Sequence, residues 1–293
     1  MTPPINRLVL GPTASGKSDY AIALAKQEGG HIISADAFQI YKGLDIGTGK
    51  VSLSIRQCIP HHLIDGLEPW DSYSVAVFVK QVCTLIEDLN KQGIPVILCG
   101  GSAFYVYAFY YQLSFEALPY DPLCRATVLA KWDNQPSEAI WDEVNRLDPV
   151  HAATLAATQR KRLLRALEIH TLTGKAVSEI IQLPTPRKDI TLIGMQVDRP
   201  ALVQRIHDRV DTMLADGWIE EVECLIAKGM TSDWPASQAI GYVQIMEHLR
   251  GDLSYEAMSE LIRIKTRQLA KRQMTWFRRF EGVEWVSPKF NTL

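Results

Sequence analysis

The sequence predicts an α/β fold, a parallel sheet flanked by helices with a helical insertion. Three observations predict it. Short apolar runs alternate with segments of helical period through the first hundred residues. A glycine-rich loop, GPTASGKS (11–18), joins the first apolar run to the first helical one. From 118 to 185 the helical period continues, broken by prolines and without a strand-like run.

The elements follow in order. RLVLG (7–11) is a short apolar strand, and KSDYAIALAKQEG (17–29) is a helix stopped at Gly29–Gly30. HIISAD (31–36) is a second strand. SYSVAVFVKQVCTLIEDLNKQG (72–93) has apolar residues at helical spacing and a glycine stop, and IPVILCGG (94–101) is apolar throughout, as a strand covered on both faces must be. Residues 94–115 carry no charge and reach the length of a membrane span, but Pro95, Gly100, Gly101, Ser102 and Gln112 interrupt them. They read as a strand, a Gly-Gly turn and an apolar helix, so no membrane partner is expected. Strand character returns at ITLIGMQVD (190–198), and the remainder reads as helices. The organisation expected is a core of 1–117 and 186–293, ending in basic helices, with an insertion at 118–185.

A 47% hydrophobic and 22% charged composition is that of a globular chain, and 293 residues suffice for one large domain with an insertion. With a net charge of −2, bulk charge does not attract nucleic acid, and any such partner needs a local patch. The five cysteines are scattered and form no C-x-x-C pair, which argues against a zinc site or disulfide framework and for a reducing cytoplasm. The apolar run in MTPPINRLVLGPT is too short for a signal peptide.

Gly11, Gly16, Lys17 and Ser18 satisfy G-x-x-x-x-G-K-[ST] between a strand and a helix, the setting of P-loop NTPase-like sheets. Loop amides, the helix N-terminus and Lys17 make a phosphate cradle, with Ser18 placed for Mg²⁺. The motif does not make the ligand ATP. An ATPase or GTPase usually ends a second strand in an acid that positions Mg²⁺ or water, whereas PVILCGG ends in Cys-Gly-Gly. HIISAD ends in Asp36, either that metal-associated acid or a group with another task. The pair in PHHLID, His61 and His62, lacks further ligands around it and reads as structural or substrate-proximal.

Nine stretches in order resemble the tRNA dimethylallyltransferases: GPTASGKS (11–18), ISADAFQIYKGLDIGTGK (33–50), IPHHLID (59–65), YSVAVF (73–78), GGSAFY (100–105), QRKRLLRALEIHTLTGK (159–175), RVDTMLADGWIEEV (209–222), QAIGY (238–242) and KTRQLAKRQMTWFRR (265–279). The resemblance implies transfer of a dimethylallyl group from dimethylallyl diphosphate to N6 of an anticodon-loop adenine, position 37, with diphosphate as leaving group. It implies that Gly11, Thr13, Ala14, Ser15, Gly16, Lys17 and Ser18 hold the diphosphate, with Mg²⁺ on Ser18. Asp36 would be the base, and Ser102 (where threonine is usual) and Arg209 would assist departure. Read without the resemblance, Arg209 is a surface arginine on an amphipathic helix. Ala103 and Phe104 replace the usual glycine and leucine.

For the tRNA anticodon stem-loop the resemblance implies Ala37, Phe38, Gln39, Arg162, Arg165, Gln238, Gly241 and Tyr242. Phe38 stacks on a base or belongs to the core. Between Arg263 and Arg279 stand seven basic residues and no acid, with Arg263, Arg267 and Lys271 one turn apart and Arg272 adjacent. Such a run suits phosphate backbone, though taken alone it reads first as a solvated face. Thr154, Thr158, Gln159 and Val243 depart from the family pattern. A monomer is expected. Rival readings are a prenyltransferase for free adenine nucleotide, a small-molecule kinase, and a non-catalytic RNA-binding module.

Overall fold

The computed structural model describes residues 6–113, 115, 120–180 and 184–287. It divides into two compact units, 1–110 with 187–293, and 111–186.

The larger unit begins with β1 (Asn6–Leu10), α1 (Lys17–Glu28), β2 (His31–Ser34), α2 (Leu53–Cys58), β3 (His61–His62), α3 (Val75–Lys91), β4 (Val96–Gly100) and α4 (Ala103–Tyr110). Within the uncharged 94–115 stretch, Val96–Gly100 is a buried strand and Ala103–Tyr110 a helix, with the glycine turn between them. Among the described residues no helix is long and apolar enough to cross a membrane. Ser74 caps α3 by accepting from Val77 N–H, and α3 turns Phe78, Val82, Ile86 and Leu89 inward at helical spacing.

The smaller unit holds α5 (Pro122–Trp132), α6 (Ser137–Leu147), α7 (Pro149–Ala152), α8 (Arg160–Thr173) and α9 (Val177–Ile180) around Val128, Ile140, Val144, Leu163 and Leu167. Asp121 caps α5 with Pro122 as its first residue. Buried Asp148 accepts from His151 N–H and from both donors of Ser178, which ties α9 to the start of α7.

The larger unit resumes with β5 (Ile190–Met195), α10 (Arg199–Ala215), α11 (Trp218–Ala227), a 3₁₀ turn (Pro235–Gln238), α12 (Tyr242–Leu249), α13 (Tyr255–Phe277) and β6 (Glu284–Val286). The strands form one parallel sheet in the order β3-β2-β4-β1-β5-β6. Both edge strands were illegible as sequence. β3 is two histidines paired with Ile32 and Ile33, and β6, in a tail expected to be helical, is a three-residue strand whose first two residues are exposed. Neither presents an apolar run.

The order matters for function. β2, β4 and β1 are neighbours, so their carboxyl ends place Asp36, the Gly101–Ser102 turn and the 11–16 loop along one rim, where open α/β sheets bind ligands.

Candidate active site

The 11–16 loop is shaped by close contacts. A Cβ at Gly11 would stand 2.5 Å from Ser15 Oγ and 2.9 Å from Met195 Cβ, so only glycine fits. Ala14 (φ 61°) and Gly16 (φ 80°) are left-handed, the backbone of an anion nest. Ser15 is fully buried, its N–H turned to Pro12 O at 3.3 Å. Thr13 N–H is also engaged, donating to Gln273 Oε1 at 2.8 Å. Ser15 and Thr13 therefore shape the cradle with their amides turned within the protein, which differs from two open donors. Lys17 Nζ donates to Pro12 O at 3.3 Å, and burial, with Arg209 adding to it, pulls its pKa below the usual lysine range against Cys99 and Asp36.

Beside the cradle, the ends of β2 and β4 are locked together. Ala35 N–H donates to Cys99 O, Ser102 N–H to Ala35 O, and Ala37 N–H to Ser102 Oγ at 2.8 Å. A Cβ at Gly100 would lie 2.1 Å from Ala35 O, so these backbones touch only because residue 100 is glycine. Ser102 thus accepts from the Asp36–Ala37 segment and keeps its hydroxyl proton to donate. Asp36 Oδ1 accepts from Phe38 N–H at 2.9 Å, which orients the carboxylate. Gln39 Oε1 accepts a hydrogen bond from Ser34 Oγ (2.8 Å) and Gln39 Nε2 donates to Thr48 O (3.2 Å), clipping the 36–49 loop over the rim.

A cavity of about 340 Å³ joins these groups. Lys17, Ser18, Asp36, Arg209 and Arg272 supply its charged and polar wall, and Val210, Met213, Trp218, Ile240 and Leu269 its apolar one. Arg209 is not the surface arginine its amphipathic helix would suggest. Its guanidinium lies so close to Gly49 that any Cβ there would strike Nη2. Burial pulls its pKa down, opposed by Asp36 and Asp19, and among the described residues it makes no hydrogen bond or ion pair. Two cations without an ion pair among the described residues, sharing a part-apolar cavity with a carboxylate, suit a ligand with an anionic head, an apolar body and a dissociable proton nearby.

The family model described as IPP transferase matches residues 39–280, and one described as isopentenyl transferase matches residues 4–58. The chain belongs to the IPP transferase family. It is 37% identical to a tRNA dimethylallyltransferase of Pelotomaculum thermopropionicum over 95% of this chain and 89% of that one, and 40% identical to one of Geobacillus thermodenitrificans over the same shares. A solved tRNA isopentenylpyrophosphate transferase of Bacillus halodurans superposes with a TM-score of 0.71 at 34% identity, covering 96% of this chain and 90% of that one. A eukaryotic dimethylallyltransferase captured acting on tRNA superposes with a TM-score of 0.82 at 28% identity, covering 94% and 70%.

Set in the IPP transferase frame, the residues expected to meet RNA separate into several groups. Ala37, Phe38 and Gln39 follow Asp36 at the rim. Phe38 packs on the core and also lines the cavity. Gln238 lies exposed at the cavity. Lys271 and Arg272 are exposed on α13, and Arg162 is exposed on α8. Arg165 pairs at 2.6 Å with Glu168, itself buried and also paired with Arg125. Arg267 bonds His207 Nε2 (2.5 Å) and Glu260 (3.2 Å), and Arg263 pairs with Asp211 and Glu260. The stripe expected from Arg263, Arg267 and Lys271 is therefore partly neutralised, by acids at 211 and 260 that lie outside the basic run.

Tyr242 corrects an expectation. It is fully buried and its hydroxyl donates to Glu221 Oε1 at 2.7 Å, so it supports the site from behind instead of touching a nucleotide. Glu221 also accepts from the N–H groups of Asp45, Ile46 and Gly47. Gly241 is likewise buried. With φ 103° and a virtual Cβ 2.0 Å from the Trp218 ring, it is glycine for steric reasons. Gly241→Ala is expected to cost about 1–3 kcal/mol or more in denaturant unfolding and to displace Trp218 into the cavity. His62 stacks on His31 with a 3.0 Å ring-nitrogen contact, and His61 Nδ1 meets Ile59 O at 2.7 Å, which gives both a structural task. Gln273, Trp218 and Glu221 fall within the quoted stretches 265–279 and 209–222, but the sequence assigned none of them a role.

Proposed function

We infer that this protein transfers the dimethylallyl group of dimethylallyl diphosphate to N6 of adenine 37 in tRNA, releasing diphosphate. The observation that carries this reading is the pair Lys17 and Arg209, cations without an ion pair among the described residues that share one cavity with Asp36. The N6–C1 bond forms as the C1–O bond breaks. The electron pair of that bond leaves on the diphosphate, where the loop's helix N-terminus, Lys17 and Arg209 receive the developing charge. Asp36 accepts the N6 proton, a task that typically contributes about 10²–10⁴-fold. Ser102 holds the Asp36 segment through Ala37 and directs its own proton toward a diphosphate oxygen. Val210, Met213 and Trp218 offer the apolar wall for the prenyl chain.

Ser18 stands exposed at the start of α1, and no group of three acidic, histidine or cysteine side chains among the described residues could cage a metal. The Ser18 hydroxyl, beside Lys17 at the cavity, is an oxygen donor that fits a hard ion taking its other ligands from diphosphate oxygens and water, as Mg²⁺ does. When bound, it would supply counter-charge to the leaving group.

The adenine has to leave its stack to reach Asp36. On the larger unit, the exposed Lys271 and Arg272 are proposed to hold RNA phosphates and Gln238 to border the entering base. On the smaller unit, Arg162 is exposed and is proposed as an RNA contact of its own, whereas Arg165 is held by Glu168. The groups proposed for diphosphate and proton transfer belong to the larger unit of one chain, so the reading is of a monomer working in the cytoplasm. The second reading is transfer to free adenine nucleotide; the match of residues 4–58 to an isopentenyl transferase model names the transferred group and not the acceptor. Incubation with tRNA, Mg²⁺ and dimethylallyl diphosphate, followed by nucleoside mass analysis, tests the first. Prenylated adenosine in tRNA and none with AMP is expected. Prenylated AMP with unmodified tRNA would overturn it.

A further inference from the structure

Gln273 lies on α13, 260 residues from the loop it touches, and is buried. Its Oε1 accepts from Thr13 N–H at 2.8 Å, and its Nε2 donates to Gly101 O at 2.7 Å. One carboxamide thus joins the diphosphate loop to the turn that carries Ser102. Position 101 is shaped for it: a Cβ there would lie 2.5 Å from Nε2 and 3.6 Å from Lys17 Nζ. The two main-chain groups need opposite partners, an acceptor for Thr13 and a donor for Gly101. An amide supplies both at one site, an ionised carboxylate supplies only acceptors, and a thioether supplies no donor.

We propose that Gln273 is a positioning residue for the transfer: its carboxamide sets the register between the diphosphate cradle and the Ser102–Asp36 rim, so that leaving group and base face the same carbon. The role rests on the reading of the 11–18 loop as the diphosphate site. Lys271, two residues earlier on the same helix, is exposed and does not line the cavity, and Arg272 is exposed at the cavity's edge, whereas Gln273 is buried between the loop and the turn. Its loss is therefore a donor-side defect, separable from RNA binding.

The test uses Gln273→Met, which keeps the volume and removes the donor, and Gln273→Glu, which keeps the acceptor and adds charge near Lys17. Inorganic diphosphate affinity is measured by calorimetry, with kcat and the KM of each substrate alongside. For Gln273→Met, diphosphate affinity is expected to fall about tenfold and kcat at saturating donor by a similar factor, the size of a lost hydrogen bond. The KM for tRNA should be unchanged. Gln273→Glu should be worse near neutral pH, and its deficit against wild type in diphosphate affinity should narrow as pH falls. The protonated acid then offers an O–H to Gly101 O and a carbonyl to Thr13 N–H. A packing role alone would not give that pH-dependent recovery. Wild-type diphosphate affinity and kcat in both variants would overturn the proposal, as would equal loss for donor and tRNA accompanied by a lowered melting temperature. A wild-type protein that ignores diphosphate would overturn the loop reading itself, and this role with it.

Discussion

Replacing Asp36 with Asn is expected to lower kcat by about 10²–10⁴-fold while leaving tRNA affinity and melting temperature nearly unchanged. The amide keeps the oxygen that accepts from Phe38 N–H, so the backbone turn survives, while the capacity to take a proton from N6 is lost. Quenched-flow formation of prenylated adenosine at saturating substrates reads the chemical step directly. Near-normal turnover would remove Asp36 as base and leave it an orienting group at a strand end.

Lys17→Ala is expected to weaken donor and inorganic diphosphate binding by about 10–100-fold, the worth of a charge-assisted hydrogen bond of roughly 1.5–3 kcal/mol. The fall in kcat should be larger than the rise in donor KM accounts for, because charge grows on the diphosphate as it departs. Stability should hold or rise, since a buried ammonium whose pKa is lowered by burial costs the folded state. Calorimetric titration with diphosphate checks the first point and thermal unfolding the last. Unchanged donor affinity would remove Lys17 from the leaving-group site.

Much of the rim was legible before any coordinates, for a physical reason. β1, β2 and β4 are apolar runs, and the loop and Asp36 stand out where two of them end, whereas Ser102 was marked only by the family resemblance. The parallel order β2-β4-β1 then brings them together. The second layer was not legible. Gln273 and Glu221 act by satisfying backbone groups far away in sequence, 260 residues away for Thr13 and 174 to 176 for the 45–47 loop. Nothing local marks a glutamine or glutamate that does this. Tyr242 illustrates the converse, since QAIGY looks like a contact motif although Gly241 makes room for Trp218 and Tyr242 packs behind it. The basic run on α13 misled in part, because composition within one helix does not reveal the acids that pack beside it.

The central claim is that the phosphate held by GPTASGKS is a leaving group and not a fuel. Counting diphosphate released against prenylated adenosine formed, with no nucleoside triphosphate present, tests it most directly. One diphosphate per modified adenosine, with no stimulation by added ATP, is expected. A requirement for ATP hydrolysis, or diphosphate release without modified adenosine, would contradict it.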